Sequence, residues 1–177
     1  MIATEDRQRL LDLARRAVVA HVHGERAPLP PHDLQMPASG VFVTLYHRGE
    51  LRGCLGTLDP QVAVAEAVVR LGAEVAHRDP RFEPLHAQEL REITIDVSVL
   101  TEPVRVADVS EIVLGRDGLI VEQHGRKGLL LPQVAPEHGF DRETFLAHTC
   151  RKAGLPADAW HTGAAIYRFE AEVFGEQ

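Results

Sequence analysis

The chain has no asparagine, only two lysines against seventeen arginines, and only two cysteines in 177 residues. Cys54 and Cys150 lie far apart, which excludes a small disulfide scaffold; in a reducing compartment both read as free thiols. Two cysteines also cannot make a zinc-finger ligand set. No apolar run approaches the roughly 20 residues that a membrane helix needs. The first residues, Met1-Ile2-Ala3-Thr4-Glu5-Asp6, are acidic and no apolar segment follows, so they are not a secretory signal. The expected location is the cytoplasm, with no membrane contact. The formal net charge is −7. A general nucleic-acid binder is usually basic, so duplex DNA is not the expected partner. Walker-type and dinucleotide-binding glycine patterns are both absent, and no cofactor is expected. Ten histidines are present, but His21 and His23 would fall on different helix faces. None forms an i, i+4 pair together with a catalytic Glu, so no metal site is expected.

What is present is a chain of ordinary globular composition, 45% apolar and 25% charged, of a length that suits one domain or two small subdomains. Residues 4–23 have helical spacing, with Thr4 as cap and Gly24 as stop. Four prolines make 25–39 a loop. Strands are expected at 41–46 and 51–58, joined by a turn at 47–50. Asp59 and Pro60 then open an Ala- and Val-rich helix to about residue 77. Ile93, Ile95, Val97 and Val99 alternate with polar residues, as in a strand with one buried face. The order then recurs. Strands at 119–122 and 128–131 flank a turn at 124–127, Asp141 caps a helix to residue 153, and 165–174 forms the last strand. Asp117 and Gly118 read as a hairpin turn. The reading is therefore α+β: two hairpin-helix-strand subdomains with mostly antiparallel sheets, preceded by an N-terminal helix.

The most unusual stretch is Arg52-Gly53-Cys54-Leu55-Gly56. Strand periodicity puts Arg52, Cys54 and Gly56 on one face and Leu51, Gly53 and Leu55 on the other. An arginine beside a thiol favours the nucleophilic thiolate, and glycines in a strand mark a bulge or a close approach. On this reading Gly56 leaves open space beside a reactive Cys54. The commoner fate of such a cysteine is burial as a small apolar residue. Cys150 is expected in the core of its helix. Asp79 and Arg81 either end a helix or bind a polar ligand, and Asp96 is either a solvated carboxylate or a base near Cys54.

The 52–56 core, together with segments 40–45, 79–82, 94–100, 115–120, 128–134 and 150–155, resembles the AMMECR-one domain family. In prokaryotes this family is also called AmmeMemoRadiSam system protein A. Leu55 stands where the family motif has Ile. The resemblance implies one domain over 1–177, with interlocked subdomains of roughly 1–105 and 106–177 exchanging strands around a cleft. It implies that Arg52, Gly53, Cys54 and Gly56 line a functional surface, to which the reading of the residues adds Asp79, Arg81 and Asp96 as candidate cleft residues. It also implies a genomic setting beside Memo-like and radical S-adenosylmethionine proteins, which makes them candidate partners. Two functions remain open: a reactive thiol at Cys54 supported by Arg52, or a non-catalytic adaptor for a small molecule, peptide, protein or RNA.

Overall fold

A computed structural model describes residues 1–59 and 61–177. The chain divides into two compact units, residues 1–100 with 172–177 and residues 101–171. Among the described residues, four α-helices and seven strands make an α+β fold. Pairings β1–β2, β1–β3, β4–β7, β5–β6 and β5–β7 are all antiparallel.

In unit 1, α1 (Thr4–Val22) and α2 (Val64–Val75) cover one face of β1 (Gly40–His47), β2 (Glu50–Thr57) and β3 (Ile93–Leu100). Alternation in β1 and β3 sends Val41, Val43, Leu45, Ile93, Ile95, Val97 and Val99 into that core. The α1 helix buries Leu10, Ala14 and Val18, as its spacing predicts. Thr4 is not its cap. Ala3 is extended and its carbonyl accepts from Arg7 N, so Thr4 is already helical. The α2 helix starts later than expected. Asp59 accepts from Gln61 N in a local turn, and a bridge from Pro37 holds Ala63 extended, so helical geometry begins at Val64. Pro60 lies outside the described residues.

Unit 2 holds β4 (Val104–Arg105), β5 (Asp117–Gln123), β6 (Arg126–Leu130), α3 (Val134–His138), α4 (Arg142–Lys152) and most of β7 (Ala165–Gly175). Asp141 caps α4 by accepting from Thr144 N, as its position predicts. Phe145, Leu146 and Cys150 of α4 are fully buried against Leu119 and Val121. The short β4 and α3 carry no periodicity that the sequence could reveal. Asp117 and Gly118 do not form a hairpin turn. Asp117 is buried at the start of β5 with its carboxylate on Arg116, and Gly118 lies under the Phe169 ring. The actual turn is His124–Gly125, both at positive φ. No described helix is long and apolar enough to cross a membrane.

Candidate functional site

The site is built on the β1–β2 hairpin. Its turn, Arg48–Gly49, has both residues at positive φ, which fixes His47 opposite Glu50. Counting onward without interruption would pair Cys54 with Val43, on the helix-covered face. Instead the register slips. Leu45 faces Gly53 while Tyr46 faces Leu51, so Arg52 is the extra residue of a bulge. The slip places Cys54 opposite Thr44, on the half-exposed face of the sheet.

Along the outer edge of β2 the Cys54 amide is taken by a side chain. The Cys54 amide donates to Asp79 Oδ2 at 2.9 Å. The same carboxylate takes Arg81 Nε at 3.0 Å, Arg81 Nη2 at 2.7 Å and the Arg81 amide at 3.1 Å. The Asp79 side chain is only 3% exposed. Arg81's hydrogen bonds, helped by the Cys54 amide and opposed by burial, hold Asp79 far below the usual carboxylate range. Arg52 clamps the same segment. It donates Nε to Glu89 Oε1 at 2.8 Å, Nη2 to Glu89 Oε2 and the Pro84 carbonyl, and Nη1 to the Glu83 carbonyl at 2.9 Å.

The side chain of Cys54 points away from that edge into a row across three strands. Thr44 Oγ1 donates to Cys54 Sγ at 3.3 Å, and Thr44 in turn faces Asp96 on β3. Burial, and then the nearby Glu176 charge, push Asp96 upward. Two carboxylates on this stretch of sheet therefore have pKa values displaced in opposite directions. Asp79, on the Cys54 amide, is held ionised by its partners, whereas Asp96, one strand beyond Thr44, is displaced toward its protonated form. Arg81 is near enough that a Cys54 thiolate would raise its pKa further.

The two units repeat one arrangement. From the turns Arg48–Gly49 and His124–Gly125, the registers match once Arg52 is set aside as the bulge: Leu45 with Gly53 corresponds to Val121 with Gly128. Gly53 lies against Val75 at the end of α2, and Gly128 against Lys152 and Ala153 at the end of α4. The next row is Cys54–Thr44–Asp96 in unit 1 and Leu129–Ile120–Tyr167 in unit 2. The frame tolerates an apolar row there, so thiol, hydroxyl and carboxylate are not required by the fold.

The structure brings Cys54, Asp79 and Arg81 together and sets Asp96 one strand beyond Thr44. It corrects two expectations about the strand, the face of Leu51 and the space at Gly56. Leu51 pairs with Tyr46 and so shares the face of Cys54, because the bulge resets the alternation. Gly56 leaves no open space, since the Phe42 ring fills the position its side chain would take. Gly53 marks the close approach of α2, where an added Cβ would meet Val75 at 3.2 Å. Arg52's guanidinium is committed to residues 83–89. Thr44 was not singled out by sequence reasoning. Its signal was the polar alternation of β1, but the bulge hides which residue faces Cys54. Cys150 is a core residue, fully buried, and burial pushes its thiol up.

A family model described as AMMECR1 matches residues 11–174. A protein from Thermofilum pendens is 43% identical over 195 residues, covering 99% of this chain and 92% of its own length. One from Methanothermobacter thermautotrophicus is 42% identical over 185 residues, covering 99% and 96%. The crystal structure of an uncharacterized protein from Pyrococcus horikoshii matches with a TM-score of 0.85 at 40% identity, covering 99% of this chain and 94% of that one.

Proposed function

This chain belongs to the AMMECR1 family, and on that premise we propose that it is the thiol-bearing component of a cytoplasmic modification system shared with Memo-like and radical S-adenosylmethionine proteins. The observation that carries the reading is the Cys54–Thr44–Asp96 row, which stands where the other unit has Leu129–Ile120–Tyr167. Cys54 is the nucleophile or group-accepting thiol. When it ionises, Thr44 Oγ1 donates to the thiolate sulfur, and Asp96, one strand beyond Thr44, is the proposed acceptor of the released proton. Burial and then the Glu176 charge raise the proton affinity of Asp96, the direction that this role needs. Arg81 supplies the positive charge beside the thiolate. Asp79 holds the strand backbone under it through the Cys54 amide. Arg52 positions the covering segment rather than the sulfur.

The test has two parts. In a Cys150→Ser background, Cys54 alkylation by iodoacetamide is timed at neutral pH for Thr44→Val, Asp96→Asn and Arg81→Ala. Each variant is expected to slow it, Asp96→Asn by about tenfold or more, the low end of general-base effects. Purified Memo-like and radical S-adenosylmethionine proteins are then combined with the chain, and Cys54 is followed by peptide mass for a covalent adduct. Unchanged alkylation rates together with no adduct would overturn the thiol reading. A complex that forms and survives Cys54→Ser would support the adaptor alternative instead.

A further inference from the structure

The outward amide that Asp79 takes in unit 1 has a bare counterpart in unit 2. Strand β6 has β5 on one side and no strand on the other. Its turn makes Gln123 with Arg126 a hydrogen-bonded pair, so alternation leaves the N–H and C=O groups of Lys127 and Leu129 pointing outward. Among the described residues no hydrogen bond reaches those groups from beyond β5. Leu129 is the counterpart of Cys54, whose outward amide is taken by the carboxylate of Asp79. Unit 2 lacks the bulge arginine and any segment clamped along this edge.

The bare edge is also basic. The only two lysines of the chain, Lys127 and Lys152, both flank it. Gly128 lies against Lys152 and Ala153, and Arg126 donates to the Gly154 carbonyl at 2.7 Å. Lys127, Arg151 and Lys152 are exposed and form no ion pair among the described residues. Arginines elsewhere are commonly matched to a carboxylate, as Arg7, Arg15, Arg52, Arg81 and Arg116 are. Cations at the end of α4 suit its dipole, and a lysine on an edge strand blocks pairing with a second copy of that edge. Glu122 stands opposite Lys127 on β5, but three exposed cations against that one carboxylate leave the edge net positive, so that it repels itself and attracts an acidic strand.

We propose that the outer edge of β6 binds an extended acidic peptide segment of a protein partner by strand addition. The main chain of the segment pairs with Lys127 and Leu129, and its carboxylates meet Lys127, Arg151 and Lys152. Unit 1 contains the internal precedent, because there a carboxylate already occupies the equivalent amide. An RNA strand fits less well, since the chain carries a net charge of −7 and would repel a long polyanion outside this edge. The inference is independent of whether Cys54 reacts.

The probe is a labelled octapeptide of alternating Asp and Val, with a Lys-Val octapeptide and oligouridylate as comparisons. Binding is read by anisotropy and by amide hydrogen exchange on the full chain. The Asp-Val peptide is expected to bind in a salt-sensitive way and to slow exchange at Leu129 and Lys127 by about tenfold or more. Leu129→Pro removes an outward donor and no ladder bond, so it is expected to weaken binding about tenfold while the fold persists. Lys152→Glu is expected to weaken it similarly. Equal binding of the Lys-Val peptide, or absence of protection at Leu129 in the unaltered chain, would overturn the proposal. So would oligouridylate binding at this edge with no binding of the acidic peptide.

Discussion

The β1–β2 and β5–β6 hairpins share a two-residue turn at positive φ, a glycine pressed against the end of the next helix, and a common register. They differ in one inserted residue and, among their rows of side chains, in the row that carries Cys54. Arg52 has no counterpart in β6, and its guanidinium binds residues 83–89 along the edge of β2. The row beside it is thiol, hydroxyl and carboxylate in unit 1 and apolar in unit 2. A frame that folds with Leu129–Ile120–Tyr167 does not depend on polar groups there. The polar row is thus not owed to the fold, and the Arg52 side chain holds residues 83–89 beside it. The bulge underlies both, because without it Cys54 would face the helices beside Val43.

The largest effects should come from the shared glycine. A Cβ at Gly128 would overlap the backbone of Ala153, which cannot move aside as a side chain can. Gly128→Ala is expected to cost about 3 kcal/mol or more, the upper range for overpacking. At Gly53 the added Cβ would meet Val75 at 3.2 Å, so Gly53→Ala should cost only about 1 kcal/mol. Urea midpoints with unchanged m-values check both. Equal costs would mean that the two glycines are packed alike, against the difference in their contacts.

The clamped edge comes next. Asp79→Ala strands the Cys54 amide and the Arg81 guanidinium. Arg81 is 56% exposed and regains water, so the expected loss is about 2–3 kcal/mol rather than that of a fully buried pair. Arg52→Ala should cost about 1–2 kcal/mol and raise hydrogen exchange over residues 83–89. A loss confined to Arg52→Ala, with Asp79→Ala neutral, would show that the segment is held by the arginine alone.

Much of this frame was legible in the residues. The alternation of 93–99, the Asp141 cap, both hairpins and the buried Cys150 all follow from local pattern and turn chemistry. The bulge was not legible, because period-2 reasoning assumes an uninterrupted ladder and one extra residue reverses every face beyond it. Asp79 was flagged, yet its bond to the Cys54 amide joins residues 25 apart, and no local pattern encodes it. Gly56 was read as space because a sequence cannot show that the cross-strand Phe42 ring lies over it. Thr44 was missed for the reason the bulge was missed: only the true register names the residue opposite Cys54.

The smallest expected effect separates the two carboxylates by sign. Asp79 has a folded pKa below its unfolded value of about 3.9. Its contribution is therefore fully present above that value and lost as pH falls toward the folded one. Asp79→Asn should flatten the acid side of the stability profile. Asp96 is displaced upward by burial and then by Glu176. The folded state holds its proton more tightly, so stability falls as pH rises from about 3.9 through the folded value, and the cost persists at neutral pH. Asp96→Asn should thus gain stability near pH 7, by about 0.5 kcal/mol or less because the group is partly screened by solvent. That gain should vanish below about pH 4, where both states are protonated. Urea midpoints at pH 7 and pH 3.5 decide it. A loss at pH 7 would mean that the Asp96 carboxylate is a structural acceptor like Asp79, and the row would lose its proton acceptor.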